Sequence, residues 1–160
     1  MSDASRQTVS LRRARIADSE RLLDWRNDPE TRRWYIQPDR VPRRHHQAWL
    51  ARKLADRNCR IYIAESRSAP VGQLRLERAG RAAEVSLSVD GAARGRGMGA
   101  LMLRRAVTAA RREFHATRLV AYVRPENVAS AIAFLKAGYR FTKLVRRGAV
   151  RAYMFERTIA

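Results

Sequence analysis

The chain has 160 residues, of which 46% are apolar, and this fits one domain over residues 1–160 with a core of its own. No apolar run approaches the roughly 18 residues of a membrane span, and the start of the chain lacks the apolar segment of a signal peptide. We therefore expect a cytoplasmic protein with a flexible N-terminus at residues 1–8. Cys59 is the single cysteine, which excludes an internal disulfide and a cysteine-based zinc site.

The formal net charge of +19 comes from 34 Lys and Arg against 15 Asp and Glu. Such an excess favours anionic partners of any kind, including nucleic acid. The arginines are spread from Arg6 to Arg157, however, and no nucleic-acid-binding motif accompanies them. Nucleic-acid binding stays an alternative that the sequence does not favour, and a merely solvated arginine-rich surface explains the same composition.

The amino-terminal third predicts one strand and two helices. The strand covers residues 9–15, and a first helix begins after Asp18, which offers an N-cap, and ends at residues 27–29 because Pro29 follows Asp28. A second helix covers residues 44–55, with Trp49 and Leu50 on its apolar face. An aromatic loop at residues 34–38 lies between the two helices.

Three strands follow at residues 60–65, 70–77 and 83–90, separated by turn signals, and they predict an antiparallel meander. The third strand alternates clearly. Val85, Leu87 and Val89 point to one face, and Glu84, Ser86 and Ser88 point to the other. One face of this strand is therefore expected in the core.

The rest of the chain predicts a mixed α/β order. A glycine-rich loop at residues 91–99 leads into a helix whose apolar residues recur at helical spacing up to Phe114. A strand at 118–123, a helix at 127–137 and two strands near 139–145 and 150–158 complete the pattern.

The glycine-rich loop has the residue types of an anion-binding site. Glycines let the backbone approach a phosphate closely, while the free N–H groups and dipole of the following helix attract negative charge. The spacing matches neither a nucleoside-triphosphatase loop nor the Rossmann fingerprint, so a plain tight turn stays an alternative. The candidate diphosphate-binding residues are Arg94, Gly95, Arg96, Gly97, Met98, Gly99 and Ala100.

Two motifs in the second half carry a resemblance to a known family. Arg94-x-x-Gly97-x-Gly99 and Asn127-x-x-Ser130-x-x-x-Phe134-x-Lys136-x-Gly138-Tyr139 resemble the coenzyme A pyrophosphate loop and a later signature of the GNAT superfamily of N-acetyltransferases. The resemblance implies an α/β (α+β) fold with a mixed, mostly antiparallel sheet of about seven strands, flanked by about four helices. It also implies a splay between the fourth and fifth strands.

The same resemblance implies acetyl-CoA as cosubstrate, no metal, and direct attack of a primary amine on the thioester. Backbone groups of Leu87 and Val89 would pair with the pantetheine arm in the splay. A backbone N–H there could stabilise the oxyanion that forms on the thioester. The further coenzyme-binding candidates are Asn127 for the arm, Ser130 and Lys136 for the phosphates, and Phe134 from the same signature.

The catalytic groups are less completely defined. Glu84, on the polar face of its strand, is the candidate general base, and a salt bridge to an arginine is the alternative. The family's usual general acid is a tyrosine directly after the position of Phe134, where this chain has Leu135. Tyr139 is the candidate substitute, with a half-buried core role as its alternative.

The amino-terminal third is expected to shape the acceptor site. Its segment from Trp25 to Arg32, followed by His46-x-x-Trp49-Leu50, resembles the branch that acetylates the 4-amino group of a UDP-linked amino sugar in pseudaminic acid synthesis. Ribosomal-protein N-acetyltransferases share that layout, and a homodimer is a further expectation. Trp25 as a core anchor, and the arginines as helix-end charges, are the alternatives. The substrate-binding candidates are Trp25, Arg26, Asn27, Tyr35 and His46.

Overall fold

The computed structural model describes residues 7–160. Most of the segment predicted to be flexible, residues 1–8, lies outside the described residues. Positions 7 and 8, which are described, form no helix or strand. No helix within residues 7–160 is both long and apolar enough to cross a membrane.

The helices and strands follow the predicted order. They are β1 (Ser10–Arg13), α1 (Ser19–Asn27), α2 (Pro29–Arg32), α3 (Arg43–Ala55), β2 (Cys59–Ser66), β3 (Ala69–Ala79), β4 (Ala82–Val89), α4 (Met98–Phe114), β5 (Arg118–Val123), α5 (Val128–Lys136), β6 (Arg140–Arg147) and β7 (Val150–Thr158).

The short helix α2 was not predicted. Pro29 ends α1 as expected, but it also occupies the first position of the new helix, where its fixed φ is favourable. Asp28 precedes it, and the Thr31 hydroxyl donates a hydrogen bond to the Asp28 carboxylate at 3.1 Å. A proline that stops one helix has therefore started a single further turn.

The strands form one seven-stranded sheet in the order β1-β2-β3-β4-β5-β7-β6. All neighbouring strands are antiparallel except β4 and β5, which run parallel. The mixed, mostly antiparallel sheet predicted from the sequence is confirmed. Its edge strands are β1 and β6, and an edge-to-edge homodimer stays a prediction.

The strands β4 and β5 separate after three residue pairs. The last pair joins Glu84 to Val120, while β4 continues to Val89 and β5 to Val123 without pairing to each other. The predicted splay is therefore present. Beyond Glu84, the edge of β4 that faces β5 has no strand partner.

Helices cover both faces of the sheet because alternate residues of β2 enter two different clusters. Tyr62 and Ala64 pack with the larger cluster, into which α4 buries Met102, Leu103, Ala106 and Ala110. Ile61 and Ile63 pack on the other face in a cluster that also contains Leu22, Trp25 and Leu50. Helices α1 and α3 thus lie on the opposite face from α4.

Close contact between β3 and β4 yields a stability prediction. A Cβ atom on Gly72 would lie 2.4 Å from the backbone oxygen of Ser88. We expect Gly72→Ala to lower the free energy of unfolding by about 1–3 kcal/mol, because the strands must move apart. Urea denaturation measures this, and Gly91→Ala, whose Cβ would meet only Arg94 at 3.7 Å, is the control. Equal stability of both variants would contradict the prediction.

Candidate functional site

A cleft of about 910 Å³ opens where β4 separates from β5. The part of β4 that does not pair with β5, from Val85 to Val89, forms one wall together with the end of β5. The start of α4 and one side of α5 line one end of the cleft. Residues 33–36 line the other end together with the end of β6 at Arg147 and the start of β7 at Val150. These two ends are called the coenzyme end and the acceptor end below.

The first turn of α4 opens into the coenzyme end. Gly97 is its N-cap, with φ of 75° and no side-chain hydrogen bond to cap the helix. The first helical hydrogen bond is donated by the N–H of Leu101 to the Gly97 carbonyl. The N–H groups of Met98, Gly99 and Ala100 therefore have no helical acceptor, and the helix dipole adds positive potential there. This geometry suits a phosphate group.

All the predicted coenzyme-binding residues except one line the cleft. The exception is Arg96, which is exposed between Gly95 and Gly97, two glycines that both have φ of 75°. Its position gives no support for a direct coenzyme contact. The residues that line the cleft are Leu87, Val89, Arg94, Gly95, Gly97, Met98, Gly99, Ala100, Asn127, Ser130, Phe134 and Lys136.

Asn127 has a structural role that the sequence did not specify. Its Oδ1 accepts a hydrogen bond from the backbone N–H of Ser130 at 3.3 Å, so it is the N-cap of α5. The Nδ2 group takes no part in that bond. The same side chain can therefore cap the helix and donate to a ligand in the cleft.

Arg94 connects the glycine-rich loop to α2. Its Nη2 donates to the Asp28 carboxylate and, at 2.9 Å, to the Thr31 hydroxyl. The Arg94 hydrogen bond holds the pKa of Asp28 below its usual range. The loop at the coenzyme end is thus tied to the segment that leads to the acceptor end.

Glu84 occupies the point at which the two strands part. Its side chain lines the cleft and its Oε1 accepts a hydrogen bond from Nη2 of Arg147 at 3.2 Å. The Arg147 guanidinium lies 3.9 Å from the centre of the Tyr122 ring. The structure therefore combines the two features that the sequence left as alternatives. The Glu84 carboxylate lines the cleft, and it also forms a salt bridge with Arg147.

Tyr139 does not line the cleft. It is 2% exposed and packs edge-on against Phe134, with ring centres 5.0 Å apart. Its hydroxyl has no hydrogen-bond partner among residues 7–160, and burial raises its pKa. Gly138, with φ of 86°, turns the chain inward just before it. The position corrects the expectation of a general acid, because the structure supports the core role that the sequence left open.

Arg26 and Asn27 hold the loop of residues 33–42 between α2 and α3, called the acceptor loop below, without lining the cleft. Asn27 bonds both the N–H and the carbonyl of Val41, at 2.8 and 2.9 Å. Arg26 donates to the carbonyl of Gln37 at 2.9 Å, and its guanidinium lies 4.0 Å from the centre of the Tyr35 ring. Tyr35 itself lines the cleft as expected. The predicted contacts of Arg26 and Asn27 with substrate are thus replaced by contacts with the loop.

Trp25 and His46 belong to the core. Trp25 is 6% exposed and its indole N–H donates to Asp90 at 2.7 Å. His46 is 4% exposed, its ring centre lies 5.5 Å from that of Trp49, and its Nδ1 has no hydrogen-bond partner in the described part of the chain. Burial, with the nearby charge of Arg26, lowers the pKa of His46. The expectation of substrate contacts is corrected for both residues, because neither lines the cleft.

Several residues at the acceptor end were not singled out from the sequence. Arg75 lies opposite Ser86 in the pairing of β3 with β4, so strand alternation combined with this register could have found it. Arg147 follows no such signal, because its place depends on how the β6–β7 hairpin folds over the cleft. The missed lining residues with arginine or tyrosine side chains are Arg33, Arg75, Tyr122, Arg124 and Arg147.

The cleft fits an extended thioester coenzyme. Such a coenzyme carries amide groups that can pair with the free edge of β4 and phosphates that suit the open turn of α4. Among residues 7–160, no group of three or more His, Cys, Asp and Glu could hold a metal ion. The class of protein defined by this arrangement is a coenzyme A-dependent acyltransferase.

Comparison with family models identifies the family. Residues 8–140 match the model described as acetyltransferase (GNAT) domain. The chain therefore belongs to the GNAT acetyltransferases, which confirms the resemblance seen in the sequence. It is an N-acetyltransferase whose acetyl donor is acetyl-CoA. No curated protein matches the chain.

Solved structures share this fold at low sequence identity. The aminoglycoside acetyltransferase AAC(6')-Ib, with paromomycin and acetyl-CoA, has a TM-score of 0.84 and 19% identity over 94% of this chain and 93% of that one. RimL, a ribosomal L7/L12 alpha-N-protein acetyltransferase with coenzyme A, has a TM-score of 0.82 and 15% identity over 95% of this chain and 94% of that one. Spermidine N-acetyltransferase from Vibrio cholerae, with coenzyme A and spermine, has a TM-score of 0.82 and 14% identity over 94% of this chain and 95% of that one.

The burial of His46 predicts a dependence of stability on pH. Its pKa is lower in the folded chain than in the unfolded chain, so the unfolded chain binds the proton more readily. Stability is therefore lost as the pH falls below about 6.5. We expect His46→Gln to reduce this loss between about pH 7 and pH 5. The free energy of unfolding at each pH measures it, and the exposed His45 supplies the control His45→Gln. An unchanged slope in His46→Gln would disprove the assignment.

Proposed function

We propose that this acetyltransferase moves the acetyl group of acetyl-CoA to a primary amine on a nucleotide-linked amino sugar. The observation that carries the reaction is the placement of Glu84. It stands where β4 and β5 part, between an open helix N-terminus and the arginine-lined acceptor end. A thioester held along the free edge of β4 would place its carbonyl near this carboxylate.

In the proposed mechanism, the protein brings the two reactants together and moves a proton. The amine nitrogen attacks the thioester carbonyl, and Glu84 accepts the proton that the nitrogen loses, directly or through water. A backbone N–H on the edge of β4 that faces the cleft stabilises the oxyanion. The carbon–sulfur bond then breaks and the thiolate leaves, taking up a proton as free coenzyme A.

The charge of the acceptor end favours an anionic acceptor. Four arginines line it, and the rings of Trp34, Tyr35 and Tyr122 offer flat surfaces beside them. Arginine and aromatic side chains together suit the phosphates and rings of a nucleotide. The glutamates that line the cleft, Glu30, Glu84 and Glu126, are each paired with an arginine. Polycationic acceptors, such as the amines named with two of the similar structures, would find no unpaired glutamate there.

A protein α-amine is the second candidate acceptor. The fold shared with RimL, at a TM-score of 0.82, is the observation that favours it. A peptide N-terminus carries a positive charge and one amine, so it needs less acidic surroundings than a polyamine does. Acetylation assays with UDP-linked amino sugars and with peptides, run side by side, distinguish the two classes.

Coenzyme binding can be tested at Gly97. Gly97→Glu would place a carboxylate in the phosphate site, and we expect saturable one-to-one binding of acetyl-CoA to be lost in calorimetric titration at moderate salt. Gly80→Glu is the matched control, because Gly80 also has a positive φ, with open space around it, and lies outside the cleft. Absence of binding by the folded wild type would overturn the proposed function.

The role of Glu84 predicts a loss of rate rather than of binding. We expect Glu84→Gln to lower kcat by about 10²–10⁴-fold, because a carboxamide cannot accept the proton. Binding of acetyl-CoA, measured by calorimetry, should stay at the wild-type value. Release of free thiol measures the rate, and wild-type kcat in Glu84→Gln would rule out this base.

A further inference from the structure

Four arginines at the acceptor end have glutamate partners, but one pair differs from the others. Three of the pairs join residues only two or three positions apart in the sequence, whereas the fourth joins β4 to the end of β6. The pairs are Arg33–Glu30 at 3.5 Å, Arg75–Glu77 at 2.8 Å, Arg124–Glu126 at 3.9 Å and Arg147–Glu84 at 3.2 Å. Only the fourth pair involves the candidate base.

The bond between Arg147 and Glu84 is easily exchanged. Each side chain is 38% exposed. An ion pair of this exposure favours the bonded over the separated side chains by about fivefold at most. The contact uses one Nη2 and one Oε1. Since a guanidinium has five N–H donors in a planar fork, a phosphate or carboxylate that engages two of them can replace the single bond to Glu84. The Tyr122 ring, 3.9 Å away, supports the guanidinium in this place.

The backbone around Arg147 places it between the base and the acceptor loop. Gly148, with φ of 59°, begins the tight turn that follows β6. A Cβ atom on Gly148 would lie 3.5 Å from Cγ2 of Ile36, so this turn contacts the loop that carries Tyr35. An acceptor seated against Tyr35 therefore meets Arg147 on its way to Glu84.

We propose that Arg147 binds an anionic group of the acceptor, a phosphate of a nucleoside diphosphate, and that this binding releases Glu84 to act as base. The inference rests on the proposed function and identifies Arg147 as the residue that selects the acceptor. When the anion takes the guanidinium, Oε1 of Glu84 loses its hydrogen-bond donor and is open to the proton of the amine. The amine proton then passes to Glu84 as the carbon–nitrogen bond forms, and the carbon–sulfur bond breaks.

This arrangement makes selection visible in kcat as well as in KM. An acceptor without the anionic group leaves Glu84 paired with Arg147, so its kcat is lower, by up to about fivefold, even when it is bound. Removal of Arg147 frees Glu84 for every acceptor but removes the anion site. A merely structural role of Arg147 would instead lower the rates for both kinds of acceptor alike.

The test compares a UDP-linked 4-amino sugar with the same amino sugar lacking UDP. For Arg147→Met we expect kcat/KM to fall by about 10–100-fold with the nucleotide-linked acceptor, as for loss of a charged hydrogen bond. The kcat for the free amino sugar should stay equal or rise. Arg147→Lys should recover part of the loss in KM. Arg146→Met removes the same charge from the same hairpin, is exposed and outside the cleft lining, and should behave as wild type.

The outcomes separate this inference from the proposed function. If the folded wild type binds acetyl-CoA and acetylates both acceptors without preference, or if Arg147→Met lowers both rates alike, the role of Arg147 is overturned and acetyl transfer stands. If it acetylates neither, the proposed acceptor fails, and titration of the coenzyme complex with UDP decides the anion site. Equal UDP affinity of wild type and Arg147→Met then overturns the inference, and lost affinity in the variant supports it.

Discussion

The short parallel pairing of β4 with β5 is the constraint on which the rest of this structure depends. Only three residue pairs join the two strands, although both continue beyond them. Backbone N–H and carbonyl groups need partners, and beyond Glu84 those on the edge of β4 that faces away from β3 meet a cleft instead of a strand. A coenzyme with amide groups supplies such partners. The same divergence places the Glu84 carboxylate where the strands part and leaves the start of α4 open to the cleft.

Charge organises the two ends of the cleft in different ways. At the coenzyme end, the positive potential comes from the backbone N–H groups of the first turn of α4 and from Lys136, while Arg94 is engaged with Asp28 and Thr31. At the acceptor end, it comes from arginine side chains held by nearby glutamates. The net charge of +19 raises the encounter rate with anions everywhere on the surface, and the paired arginines give the charge a defined geometry at the acceptor end.

Side chains of α1 hold the acceptor loop in one conformation, so the loop can present a defined surface. Asn27 fixes the backbone of Val41, and Arg26 holds both Gln37 and the ring of Tyr35. These side chains project from α1, which is anchored in the core by Trp25 and its bond to Asp90. The amino-terminal helices therefore serve the acceptor end by supporting it from behind.

The sequence by itself determined the order of the elements, the glycine-rich loop and the family. Strand alternation, helical spacing and glycine placement are local properties, and each is set by neighbours along the chain. Only the tertiary structure decided which side chains reach the cleft. Tyr139 and His46 face the core because a glycine turn and a helix packed on the sheet direct them there. Arg147 reaches Glu84, 63 positions away, because a hairpin closes over the splayed strands, and no local pattern encodes that distance.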